Sequence, residues 1–146
     1  MSAVAVALVV AGGLAGAVQA AVMGRFGERV GTLEAFAFAT LVTAAIAAAL
    51  LVVTRRSVAG YSEAARSPVW LWSAAACGAL IVVGITFAAP RIGTTATIGI
   101  VTAGNLAMAV VIDRFGWFGL ERIGIGWTRI AGVALLAAGA ALTLKR

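Results

Sequence analysis

Among the polar residues inside apolar stretches of this chain, Gln19, Glu34, Thr102 and Asn105 are the candidates for binding chemistry. A charged group at the centre of a membrane helix costs about 2.5–3.5 kcal/mol on insertion scales, so polar residues in such stretches mark binding or relay chemistry. Glu34 is the acid that falls inside a span. A carboxyl there takes up and releases a proton as solvent access changes, which is what a proton-coupled transporter needs. Two structural roles compete with that one: an ion pair with Arg91, or a favourable interaction with the dipole at the start of its own helix.

Thr95, Thr102 and Asn105 are separated by seven and three residues, which places them on one helical face. Asn105 either hydrogen-bonds across helices to hold a bundle or contacts a substrate. Each threonine can instead bond a carbonyl of its own preceding turn. Asp113 ends its apolar run and reads as a structural residue at the membrane boundary, paired with Arg129. No phosphate-binding loop, nucleophile–base pair or carboxylate dyad is present, so enzyme chemistry has no residues to stand on. With no histidine and with Cys77 as the one cysteine, a His/Cys metal site or a disulfide within the chain is excluded, and no cofactor is expected.

The elements that must position these groups follow from composition. The 146 residues are 63% hydrophobic and 11% charged, with a mean hydropathy of +1.11. A soluble domain of this size needs more polar surface than that. Charged and turn-forming residues divide the chain into five apolar stretches, 3–23, 33–53, 69–88, 94–112 and 129–144. Backbone polar groups must be satisfied within hydrocarbon, and no period-two alternation is present, so the stretches are helices. The first lacks the basic leader of a signal peptide and is read as a span. The last is short for a bilayer core of about 30 Å, and Arg129 would have to snorkel.

The links are read as loops: "GRFGERVGT" between the first two spans, "RRSVAGYSEAARSP" between the next two, and "APRIG" after the third, with Pro90 ending that helix and Gly93 reversing the chain. The reading is one transmembrane domain over 1–146, an all-α bundle of five membrane helices. Glycines such as Gly12 and Gly16, or Gly132 and Gly139, permit close helix approach.

The formal net charge of +6 comes from residues in links between spans, so membrane lipid, not nucleic acid, is the expected partner. Five spans put the termini on opposite sides. Arg55, Arg56, Arg66, Arg114, Arg122 and Arg129 then share one side, and Arg25, Arg29, Arg91, Lys145 and Arg146 the other: six against five. So small an excess gives the positive-inside rule little to act on, and all four Trp fall on the first side. Both features suit insertion in two orientations and an antiparallel homodimer, a ten-helix assembly of the kind transporters build from inverted repeats.

The stretch "PRIGTTATIGIVTAGNLAMAVVIDRFGWFG" resembles the signature of the YdcZ family of small bacterial inner-membrane proteins, within the drug/metabolite transporter superfamily. Pro90, Arg91 and Gly93 match its Pro-Arg-x-Gly turn, and Ile112, Asp113, Phe115, Gly116, Phe118 and Gly119 match its Ile-Asp-x-Phe-Gly-x-Phe-Gly exit. Gln19, Trp70, Trp72, Arg129 and Gly132 fit it elsewhere. Met23 stands where the family has Asn, and Gly104-Asn105 where it has Gly-Gln. The resemblance implies a half-size, five-helix unit of a ten-helix transporter, multi-pass in the inner membrane. Small multidrug-resistance proteins of that superfamily are antiparallel homodimers that exchange protons on a Glu in their first helix, and that Glu does not map onto Glu34.

The expected function is proton-coupled export of a small organic solute by alternating access, with Gln19, Glu34, Thr102 and Asn105 lining the cavity, Glu34 coupling to protons, and Arg91, Asp113 and Arg129 structural. A passive dual-topology ion channel and a non-transporting membrane partner subunit are the alternatives.

Overall fold

A computed structural model describes residues 2–55, 59–124 and 126–144. Arg56, Lys145 and Arg146, counted in the charge balance above, lie outside them. The described residues are helical almost throughout: α1 (Ala3–Val30), α2 (Thr32–Arg55), α3 (Ala59–Arg66), α4 (Ser73–Ile92), α5 (Thr94–Phe115) and α6 (Trp127–Thr143), with 3-10 turns at Val69–Trp72 and Trp117–Gly119. Four segments are long and apolar enough to cross a membrane: Ala3–Val30, Thr32–Thr54, Val69–Ile92 and Thr94–Phe115. α6 is apolar and shorter, with 17 residues, or about 25 Å of rise.

Three links differ from the sequence reading. The stretch 24–30 is not a loop: α1 runs through it to Val30, and Gly31 alone separates it from α2. Arg25 donates from Nη1 to Glu28 Oε2 at 2.9 Å, one turn apart, and Arg29 sits in the last turn where the helix dipole favours a cation. These charges end the apolar run without ending the helix. Pro90, likewise, lies inside α4 and does not end it. A proline takes away one helical N–H, yet the backbone recovers the next bond, with Gly93 N–H donating to the Ala89 carbonyl at 3.0 Å.

The chain leaves the helix at Gly93, whose φ of 88° and ψ of 152° suit glycine. The longer link between α2 and α4 also holds structure that the sequence reading left as loop, since Ala, Glu and Arg between 59 and 66 sustain the two turns of α3.

Burial is inverted relative to a soluble protein. The buried residues are small or slender, among them Ala20, Met23, Gly24, Ala35, Thr86, Ala89, Ala96, Thr97 and Ala140, while Val9, Leu41, Val53, Leu80 and Leu135 are each at least 70% exposed. That is the pattern of helices that approach through small residues and turn their bulk to lipid or to other membrane helices.

The described chain forms two compact units, Met1–Ala21 with Ala88–Arg146, and Val22–Phe87. In the second, Phe26 and Phe38 meet edge to face with centroids 5.8 Å apart, and Gly27 lies against Thr86. Met23 is 5% exposed and adds apolar volume to a core otherwise built from small residues. In the first, α5 and α6 pack as an antiparallel pair. Gly99 faces Ala140 so closely that a Cβ on it would stand 3.3 Å from the Ala140 Cβ.

Candidate functional site

The candidate site lies along the α5–α6 pair. Residues 95, 98, 99 and 102 recur at helical spacing on α5, and 135, 136, 139, 140 and 143 do so on α6, so each helix turns one stripe to the other. Where the stripes carry Gly99, Gly139 and Ala140 the walls are low, and a cleft of about 590 Å³ opens beside them. Its apolar wall is Ile98, Leu135 and Leu136, with Ala17 contributed by α1. Its polar groups are the hydroxyls of Thr94, Thr95, Thr102 and Thr143. Among the described residues no charged side chain lines it.

The threonines differ in what they have left to offer. Thr97, buried beside the cleft, donates to the Gly93 carbonyl at 2.8 Å, and Thr143 donates to the Ala140 carbonyl at 2.7 Å. Thr143 therefore presents only lone pairs to a ligand. Thr95 and Thr102 are not tied down in this way among the described residues.

At the far end of the pair, Arg129 donates from Nη1 to Asp113 Oδ2 at 2.7 Å. The Ile123 N–H donates to the Asp113 carbonyl at 2.9 Å, and the Arg122 side chain folds over Gly116. Gly116 adopts the left-handed conformation that closes a helix, its N–H returning to the Ile112 carbonyl at 2.8 Å. Phe115 and Trp117 stack there with centroids 5.8 Å apart. Between clasp and cleft the pair is lined by Ala107, Val110, Ile130, Val133, Ala134 and Ala137, all apolar.

The structure thus brings Asp113 and Arg129 together and puts Thr102 in the cleft, whose lining includes neither Gln19 nor Asn105. Asn105 is exposed on α5 and is not among the cleft residues. Gln19 is exposed on α1, two residues from the cleft residue Ala17. Glu34 is exposed in the first turn of α2, in the other unit, with its carboxylate folded over Gly31. Arg91 is exposed in the last turn of α4.

Sequence reasoning left Thr94 out of the site and passed over Thr143 and the small floor residues Gly99 and Ala140. Their signal was available: Gly99 stands four residues from Thr95, and Thr143 four from Gly139, so both fall on the stripes already marked by a polar or small residue.

Long apolar helices, small buried residues and bulky exposed ones define a polytopic helical membrane protein. The family model described as "Putative inner membrane exporter, YdcZ" matches residues 4–142, and the chain belongs to that family. It is accordingly a multi-pass inner-membrane protein of an exporter family. Nothing matches among curated proteins or among solved structures.

Proposed function

We propose that this chain is a secondary active exporter of a small organic solute, coupled to protons and working by alternating access. The observation that carries the reading is the α5–α6 pair, with a hydroxyl-bearing cleft near one end and the Asp113–Arg129 clasp at the other. A solute site of that kind is mostly apolar with a few polar groups for orientation. Family membership supports the direction of transport.

In this proposal α6 is the fifth span, the two units act as one transmembrane domain, and the working assembly is an antiparallel homodimer of ten helices. The near balance of basic residues, six against five, supports insertion in both orientations. Glu34 is the proposed proton carrier. Glu34 takes no part in the Arg25–Glu28 pair or the Arg129–Asp113 pair. Gln19, Thr102 and Asn105 complete the proposed solute path, each present twice in the dimer.

The test is a proteoliposome screen of candidate solutes by solid-supported membrane current, with Glu34→Gln and Asn105→Ala beside the parent. A saturable current that depends on the pH gradient, lost in Glu34→Gln and weakened in Asn105→Ala, is expected. Normal transport with unchanged pH dependence in both variants would overturn the site assignment. Flux far above carrier rates without solute competition would instead indicate a channel.

A further inference from the structure

The geometry points to the chemical class of the ligand: the α5–α6 cleft takes an uncharged, elongated molecule with an apolar middle and two hydrogen-bonding groups about 10 Å apart. This deepens the exporter reading above, since it takes the cleft to be the solute site.

Three observations carry it. The first is spacing. Thr95 and Thr102 both line the cleft, and seven residues of helix separate their hydroxyls by about 10 Å along its length. Between them stands Ile98, and across from them Leu135 and Leu136, so a molecule that reaches both hydroxyls lays its middle on an apolar wall.

The second is charge. No carboxylate, guanidinium or ammonium among the described residues lines the cleft, so a charged ligand would lose water and gain no counter-ion from those residues. Thr94, Thr95 and Thr102 can each donate and accept, whereas Thr143 has committed its proton to the Ala140 carbonyl and only accepts. Hydroxyl or amide groups, which both donate and accept, match that set. A plain hydrocarbon chain would leave it unused.

The third is room. Gly139 lines the cleft, and a Cβ built on it would meet nothing within 4 Å. At Gly99, on the opposing stripe, a Cβ would press on Ala140. The second glycine is required by packing between the helices. The first leaves space that packing does not use, and a cleft of about 590 Å³ is of the size that holds a small organic molecule.

The experiment uses the full chain in lipid nanodiscs with a diazirine derivative of octanediol, which carries a hydroxyl at each end of its chain. Labelled peptides are identified by mass spectrometry. Competition is measured with octanediol, with octanol, which has one hydroxyl, and with doubly charged diaminooctane. Label on the peptide containing Leu135 and Leu136 is expected, with octanediol competing about five-fold or more better than either of the others.

Gly139→Leu, which fills the cleft from open space, should abolish the label while leaving the melting temperature at or above that of the parent. Thr102→Val should weaken competition about five-fold, and Thr102→Ser should restore it. Label elsewhere overturns the inference, as does equal competition by octanol, which would mark an acyl-chain slot, or by diaminooctane. Undiminished label in Gly139→Leu overturns it too. The exporter reading fails separately: expected labelling with no solute current sinks transport and leaves the ligand class standing, while current without cleft labelling does the reverse.

Discussion

Gly27 and Thr86 approach so closely that a Cβ on Gly27 would stand 2.6 Å from Thr86 Cγ2. Thr86 cannot easily turn away, because it is 1% exposed and its hydroxyl donates to the Val82 carbonyl at 2.7 Å. Gly27→Ala should therefore destabilise the protein by about 1–3 kcal/mol, the cost of overpacking a tight contact. Thr86→Ser removes the colliding methyl, so the double variant should recover most of the loss. Thermal melts of the four proteins in detergent give the coupling directly; losses that simply add would show that the contact is not the cause.

Gly93 is the residue between α4 and α5, and its φ of 88° is one that a side chain strongly disfavours. Nothing lies within 4 Å of a Cβ there, so any penalty for Gly93→Ala comes from the backbone alone. The expected loss is about 1–3 kcal/mol. Gly104→Ala is the matched control, since it sits in the interior of α5 with the same open space and should be neutral or stabilising by about 0.5–1 kcal/mol. Equal behaviour of the two variants would contradict this account.

The Asp113–Arg129 pair is short at 2.7 Å, but the side chains keep 30% and 42% of their exposure. A pair so placed is expected to couple by less than about 1 kcal/mol in a double-mutant cycle with Asp113→Asn and Arg129→Gln. The backbone bond from Ile123 to Asp113 does not depend on either side-chain charge. The α5–α6 turn should thus survive both substitutions, seen as unchanged helix content by circular dichroism and a melting shift of a few degrees at most.

Orientation should respond to small changes in charge. Leu120 and Glu121 are exposed in the link between α5 and α6, on the side that carries six basic residues in the proposed topology. Leu120→Arg with Glu121→Arg raises the imbalance from one to three, and the positive-inside rule then favours that side in the cytoplasm. Cysteine-accessibility labelling should move from both sides of the membrane toward one, and activity should fall if the dimer needs both orientations. A parent protein found in one orientation only would remove the antiparallel assembly.

Much of the architecture was legible in residue order. Helical membrane segments follow from apolar length and from the need to satisfy every backbone group in lipid, and α2, α4 and α5 begin within a few residues of where charges and glycines place them. The ends were harder. Arg25, Glu28 and Arg29 close an apolar run, and nothing in composition says that the backbone continues helically beneath them. Pro90 reads as a stop because its local effect is to remove a bond, yet α4 continues past it to Ile92 and the chain reverses at Gly93, the next residue. Exposed α3 was missed because eight polar and small residues give no membrane signal at all.

The site divides in the same way. By itself, the sequence determined that polar groups are scarce, that α5 carries most of them on one face, and that the Asp113 end is a boundary, since spacing along a single helix is fixed by 3.6 residues per turn. Only the tertiary structure decided which of them share a cavity. Thr102 shares a cleft with Thr143 and Gly139 because Gly99 and Ala140 let α5 and α6 touch beside it, whereas Asn105, three residues on, falls outside the lining. Helical periodicity orders residues around one axis; the angle at which a second axis crosses it is set by which small residues meet, and that is a property of two helices together.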